Sequence, residues 1–177
     1  MATNLIDQTI KTINRDILRY AQKVASQSPA EAATRLSTPV EACKRIAVLV
    51  DDEIDRVVDK LPCSLFKLSD KCLARAFSDG PSEASKSPLA RIARIWMMAG
   101  REMSQRSPDA TRIFFGLTEE RSYALNRLNP VDVEMAIDRM GVIEFQGRLS
   151  VDQWRMVLEE SEVAALAVMN NAAAFTM

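Results

Sequence analysis

The side chains in this sequence that could do chemistry are acidic, basic and sulfur-bearing, because the chain of 177 residues contains no histidine. Without histidine the protein lacks the commonest general base and the commonest metal ligand, and hydrolases with a Ser-His or Cys-His pair are excluded. The sequence also has no Gly-rich phosphate-binding loop of either common type. These features predict a protein that is not an enzyme and that needs no cofactor.

The densest acidic cluster is Asp51-Asp52-Glu53, followed closely by Asp55. Adjacent acids on one helical turn point in different directions, so they do not converge on one metal ion unaided. Acidic residues at a helix start also interact favourably with the helix dipole. We therefore interpret this cluster as helix capping and solvated surface.

The three cysteines are Cys43, Cys63 and Cys72, an odd number without CxxC spacing. This arrangement argues against a zinc site and against a disulfide framework within the chain. The sequence thus predicts no bound metal.

The basic residues Lys67, Lys71 and Arg75 recur at four-residue spacing and would form one ridge if residues 69–77 are helical. The functional interpretation is contact with DNA phosphates, and the alternative is an ordinary solvated helix face. The net charge of −1 argues against a wholesale polyanion binder. Any DNA contact would therefore come from a local patch.

The elements that would position these residues are predicted to be helices. Apolar residues make up 47% of the chain, with only 5 Gly and 7 Pro, which favours an all-α fold. A shift of 79 residues aligns the chain with itself without a gap, placing Ser28 on Ser107 and Phe66 on Phe145. We predict two tandem helical units, residues 1–77 and 88–177, joined by a polar linker over residues 78–87.

Each unit is predicted to begin with a long helix, at Leu5–Ser26 and at 88–105. Ile13, Ile17 and Tyr20 lie on the apolar stripe of the first, which suits either an ordinary core or an assembly surface. The remaining predicted segments are short helices at 29–35, 38–49, 52–61, 108–114, 118–128 and 130–140, extended stretches at 65–68 and 142–149, and a final helix over 150–172.

Three of the short helices carry the same start signal, a polar residue followed by Pro with an acid two positions after the Pro, at Ser28, Thr38 and Asn129. The polar side chain caps the helix, Pro takes its first position, and an acid three residues after the cap completes a capping box. Short helices joined by tight turns are also compatible with a helix-turn-helix.

The sequence contains no apolar run of about 20 residues, the length needed to span a bilayer. The first residues also lack a charged segment followed by an apolar one, which a secretory signal would have. We therefore expect a cytoplasmic protein.

Part of the chain resembles the FlhD family, one subunit of the bacterial flagellar master transcriptional activator. The similar residues lie within positions 5–70 and keep the order and spacing of the family: Ile13-Asn14, Leu18, Ala21-Gln22, Arg35-Leu36, Ile46-Ala47, Leu49, Ile54 and Leu61-Pro62-Cys63-Ser64-Leu65-Phe66-Lys67. The second unit resembles the family more faintly, and it keeps a Gly in Phe115-Gly116-Leu117 where the first unit has Leu36-Ser37-Thr38.

The resemblance implies an all-helical protein that forms intertwined dimers and acts with a second subunit, FlhC, which carries a four-cysteine zinc site and much of the DNA contact. It also implies that Cys63 is a candidate for an intermolecular disulfide, although a cytoplasmic setting disfavours one. Val142 takes the equivalent position in the second unit, which excludes a cross-link there. The present chain has no four-cysteine set, so it does not resemble the zinc subunit.

Three functions remain open from the sequence. The first is a transcription regulator resembling FlhD that acts on promoter DNA with an FlhC-like partner. The second is a stand-alone helix-turn-helix protein that binds DNA directly. The third is an interaction or anti-regulator protein that occupies the surface of the partner and never contacts DNA. Because the family subunit is about one unit long, the tandem chain is expected to form either a homodimer or an intrachain pseudo-dimer.

Overall fold

The computed structural model describes residues 2–80 and 85–159 of the chain, with side chains from Leu5 onward. These described residues are mostly helical, as the composition predicts. The elements in chain order are α1 (Ala2–Ala25), α2 (Pro29–Leu36), α3 (Val40–Ile46), α4 (Asp51–Asp59), β1 (Phe66–Leu68), α5 (Asp70–Ala76), α6 (Ala90–Arg106), α7 (Pro108–Phe115), α8 (Glu119–Arg127), α9 (Pro130–Met140), β2 (Phe145–Gly147) and α10 (Val151–Glu159). The predicted helix beyond Glu159 lies outside the described residues.

The start signals at Asn129 and Ser28 differ in how completely they form. The side chain of Asn129 accepts hydrogen bonds from the backbone at the start of α9, and the Asp132 carboxylate accepts one from Asn129 N at 2.9 Å. Ser28 accepts a 3.2 Å bond from Glu31 N, but the Glu31 carboxylate pairs with Arg35 at 2.5 Å. The predicted capping box at Ser28 is therefore only half formed, because an arginine one turn later competes for the carboxylate.

The helix predicted near residues 38–49 is present as the shorter α3, but the prediction that Thr38 caps it is wrong. The hydroxyl of Thr38 donates to Leu36 O at 3.0 Å, so it serves the end of α2 instead of the start of α3. Pro39 then takes the N-cap position without a side-chain cap, and α3 ends at Ile46. In the second half of the chain Thr118 does cap α8, accepting a hydrogen bond from Arg121 N.

Several elements recur at the 79-residue spacing. The pairs α2 and α7, α3 and α8, α4 and α9, and β1 and β2 each begin 79 residues apart. Side-chain contacts recur at the same spacing, for Arg15 pairs with Asp55 at 2.6 Å and Arg94 pairs with Glu134 at 2.7 Å. The repeated apolar pattern is therefore matched by repeated local structure.

The turn after α2 and the turn after α7 are also alike. Ser37 ends α2 with φ 44° and ψ 46°, and Gly116 ends α7 with φ 67° and ψ 39°. Both residues are in the left-handed region, which costs a serine more than a glycine. The second half thus carries the residue that suits this turn best.

The two halves of the described chain, α1 to α5 with β1 and α6 to α10 with β2, pack against each other along several elements. The long helices α1 and α6 are in contact, and each also packs on the short helices of its own half. In addition, α5 packs on α9 and α10 packs on α3, so each half receives a helix from the other. One continuous apolar cluster, with members from Ile6 to Val157, fills the space between these helices.

The strands β1 and β2 form the only sheet among the described residues, and they run antiparallel. Phe66 pairs with Gly147, Lys67 with Gln146, and Leu68 with Phe145. A shift of 79 residues takes Phe66 to Phe145, Lys67 to Gln146 and Leu68 to Gly147. If each residue of one strand is replaced by its counterpart in the other strand, the same three pairs result. A local two-fold axis therefore passes between Lys67 and Gln146.

Among the helices described, none combines the length and the apolar character needed to cross a membrane.

Candidate DNA-binding and assembly site

The predicted basic ridge is divided between two elements. The helix α5 begins at Asp70, with the Ser69 hydroxyl accepting a bond from Cys72 N at 3.2 Å, so Lys67 lies on β1 and only Lys71 and Arg75 lie on the helix. The ammonium group of Lys67 is 3.4 Å from the Asp70 carboxylate. Lys71 is exposed. The ridge therefore consists of two helical positions with a partly neutralised third beside it.

Arg75 and Arg139 make reciprocal contacts at the ends of α5 and α9. Arg75 Nη1 donates to Met140 O at 3.3 Å, and Arg139 Nη1 donates to Ala76 O at 3.5 Å. Both acceptors are carbonyls at helix C-termini, which have no partner inside the helix and lie at the negative end of its dipole. Arg75 thus has a structural contact that a DNA phosphate would have to replace.

The assembly candidates Ile13, Ile17 and Tyr20 lie on α1, facing the core. Ile13 and Ile17 are 1% and 0% exposed, whereas Tyr20 is only partly buried. The hydroxyl of Tyr20 accepts a 3.4 Å hydrogen bond from Arg35. The two isoleucines are therefore covered within a single chain, and Tyr20 lies at the edge of the packed region.

Cys63 is 7% exposed and free, as are the buried cysteines Cys43 and Cys72. Burial raises the pKa of the Cys63 thiol, and the nearby Arg148 guanidinium opposes this rise. A thiol with a raised pKa forms less thiolate, which is the form that forms disulfides. Formation of the predicted intermolecular disulfide would require local opening around Cys63.

Arg148 joins the two halves through three backbone carbonyls. Its Nη1 donates to Ser64 O at 2.7 Å and to Phe114 O at 2.9 Å, and its Nη2 donates to Ile113 O at 2.8 Å. Burial lowers the pKa of the guanidinium, while the neighbouring Cys63 acts in the opposite direction. The sequence analysis did not single out Arg148. The 79-residue shift aligns it with Ser69, however, and this difference between the halves could have indicated it.

A cavity of about 530 Å³ opens where α2 faces the segment before β2. Its walls combine residues of both halves: Tyr20, Thr34, Arg35, Ser37, Ser87, Pro88, Leu89, Val142, Ile143, Glu144, Phe145 and Gln146. Its volume lies in the range of small-molecule sites, about 300–1,000 Å³. No sequence pattern pointed to this cavity, because its lining comes from segments about a hundred residues apart.

The acidic cluster takes part in helix packing. Asp51 and Asp55 pair with Arg19 and Arg15 of α1, at 3.2 Å and 2.6 Å. Glu53 accepts a 3.0 Å hydrogen bond from Val50 N at the start of α4. Within residues 2–80 and 85–159, no group of three or more acidic or cysteine side chains is arranged to bind a metal ion.

Part of the predicted linker is bonded to the second half of the chain. Ser85 N donates to the Asp138 carboxylate at 3.2 Å, and the Ser85 hydroxyl donates to Gly141 O at 2.9 Å. The division of the chain at residues 78–87 remains a prediction.

Comparisons of the chain with protein-family models, with curated proteins and with solved structures return no match.

Proposed function

We propose that the chain is a transcription regulator resembling FlhD, acting in the cytoplasm on promoter DNA together with an FlhC-like partner. In this proposal residues 1–77 and 88–177 are two FlhD-like units, joined by residues 78–87, and they pack as an intrachain pseudo-dimer. The resemblance of residues 5–70 to the family supports the first unit, and the recurrence of elements at a 79-residue spacing supports the second.

The observation that carries the proposal is the symmetric pairing of β1 with β2 about Lys67 and Gln146. A self-complementary contact of this kind is what an isologous dimer of identical subunits forms, with the same surface used twice. The exchange of α5 and α10 between the halves agrees with an intertwined arrangement. In this proposal, one chain does the work of two FlhD-like subunits.

The proposal gives Ile13 and Ile17 an assembly role inside the chain. Both side chains belong to the apolar cluster that includes residues of α1 and α6, and neither is exposed to a second chain. The proposed role of these residues is therefore to join the two units. A homodimer of the whole chain would need a different surface.

Two of the three candidate basic residues already have partners within the chain, which supports DNA contact shared with a second protein. Lys67 is paired with Asp70, Arg75 donates to Met140 O, and the net charge of the chain is −1. These features favour shared DNA contact over a stand-alone helix-turn-helix protein. They also favour the second candidate, an interaction or anti-regulator protein that binds an FlhC-like partner without contacting DNA.

The test combines light scattering with a gel-shift assay. We expect a monomer of the 177-residue chain that shifts promoter DNA only when an FlhC-like protein is present. A shift by the chain alone would favour the stand-alone binder. Binding to the partner with loss of the partner's DNA complex would favour the anti-regulator.

A further inference from the structure

The Arg148 guanidinium is surrounded by backbone of both halves. Besides its bonds to Ser64, Ile113 and Phe114, it lies over Gly116, where an added Cβ would be 2.5 Å from Arg148 Nε. Two of its acceptors, the carbonyls of Ile113 and Phe114, belong to the last turn of α7. The cation therefore lies at the negative end of that helix dipole. The backbone around Arg148 thus forms a guanidinium site within the fold.

The open cavity occupies the corresponding place on the other side of the two-fold axis. Five residues around Arg148, namely Cys63, Ser64, Ile113, Phe114 and Gly116, correspond at a shift of 79 to Val142, Ile143, Thr34, Arg35 and Ser37. All five corresponding residues line the cavity. The residue that corresponds to Arg148 is Ser69, whose hydroxyl caps α5. The chain therefore supplies an arginine to one of the two equivalent places and a cavity to the other.

The charges around the cavity favour a cation. Glu144 lines it where the first half has Leu65, and the carboxylate of Glu144 accepts a long 3.4 Å hydrogen bond from Ser69 Oγ. The positive charge of Arg35 is matched by Glu31 at 2.5 Å. The C-terminal end of α2 adds the same negative dipole that α7 directs at Arg148.

We propose that this cavity binds a guanidinium group supplied by another molecule. Because Ser37 has a Cβ where Gly116 has none, the bound group would lie farther from the turn after α2 than Arg148 lies from the turn after α7. The group could belong to a free guanidino compound or to an arginine side chain of a protein partner, and the chemistry that recognises it is the same. Glu144 is the charge partner, and the end of α2 provides carbonyl acceptors. Binding at this cavity requires neither DNA nor an FlhC-like partner.

Calorimetric titration with n-butylguanidinium tests the proposal, with n-butylurea as the neutral control of the same shape. We expect binding of the cation and at least about tenfold weaker binding of the urea, since a hydrogen bond to a charged group contributes more than a neutral one. The Glu144→Gln variant should lose about tenfold in affinity for the cation. The matched variant Glu134→Gln, at an exposed carboxylate paired with Arg94, should bind as the wild type does.

Two further measurements complete the test. Thr34→Phe changes an exposed wall residue and should block the cavity without touching the core, so binding should be lost. A capped tripeptide with a central arginine that binds more tightly than n-butylguanidinium would identify a protein side chain as the source, and the reverse order would identify a free compound. Failure of both probes to bind, or equal binding of n-butylurea, would overturn the proposal.

Discussion

The side-chain oxygen of Asn14 accepts a 2.8 Å hydrogen bond from Leu65 N, deep in the core where Asn14 is 0% exposed. The amide nitrogen of Asn14 donates to Cys63 O at 2.9 Å. One side chain of α1 therefore fixes the backbone that leads into β1. The corresponding residue of α6 is Ala93, so the second half has no such bridge.

Replacement of Asn14 by alanine should destabilise the protein by about 2–4 kcal/mol. The change would leave the N–H of Leu65 and the carbonyl of Cys63 buried without their partner, and each such group costs about 1–3 kcal/mol. Urea unfolding measures the effect. Thr12→Ala on the same helix, which removes only a bond from Thr12 to Gln8 O at the surface, should change stability by less than about 0.5 kcal/mol.

Gly116 and Ser37 should respond to substitution in opposite directions. Gly116→Ala should destabilise by about 1–3 kcal/mol, because alanine is strained at φ 67° and its Cβ would displace the bonded Arg148 side chain. Ser37→Gly should stabilise by up to about 1 kcal/mol, because it relieves strain at φ 44°. Thermal unfolding of both variants checks this pair. A loss of stability in Ser37→Gly would contradict it.

Stability should fall at high pH because of Cys43. Burial raises the pKa of the Cys43 thiol to about 11, above the value of the unfolded chain. The folded state therefore holds the proton that the unfolded state loses, so the contribution of Cys43 is complete below about pH 8.5 and declines up to about pH 11, by about 3 kcal/mol. Urea unfolding across this range should show a shallower decline for Cys43→Ala. Equal slopes for variant and wild type would show that Cys43 is not responsible.

Lys71→Ala should weaken promoter binding by the proposed complex to a similar extent for all DNA sequences. An exposed lysine that contacts one phosphate contributes about one unit to the dependence of log affinity on log salt concentration. Gel shifts at several salt concentrations measure this slope. Lys44→Ala, at an exposed position of α3, serves as the control and should leave the slope unchanged. A Lys71→Ala slope equal to that of the wild type would exclude α5 from the DNA contact.

The helices were predictable from the sequence because their causes are local. The apolar stripe of α1 and the Asn129-Pro130 start of α9 depend on residues within a few positions of each other. Thr38 failed as a start signal for a reason that is also local but ambiguous, since its hydroxyl can serve either the helix before it or the helix after it. Such competition is decided by the packed structure.

The candidate sites were less predictable because they depend on contacts between distant segments. Lys67, Lys71 and Arg75 look equivalent in the sequence, yet only the pairing of α5 with α9 gives Arg75 a carbonyl partner in Met140. Arg148 likewise looks like any surface arginine until Ser64 and Phe114 are brought beside it. The 79-residue alignment carried a usable signal for Arg148, because it marked a cation in one half and Ser69 in the other.

The pairing of Lys67 with Gln146 has a consequence for how such a chain can diverge. In an assembly of two identical subunits, the residue on the symmetry axis faces its own copy, so a lysine there would meet a second lysine and the two charges would repel. A single chain encodes the two facing positions separately, and here one is basic and the other neutral. Covalent linkage therefore permits unlike residues at the centre of the contact, and sequence changes on one side need no matching change on the other.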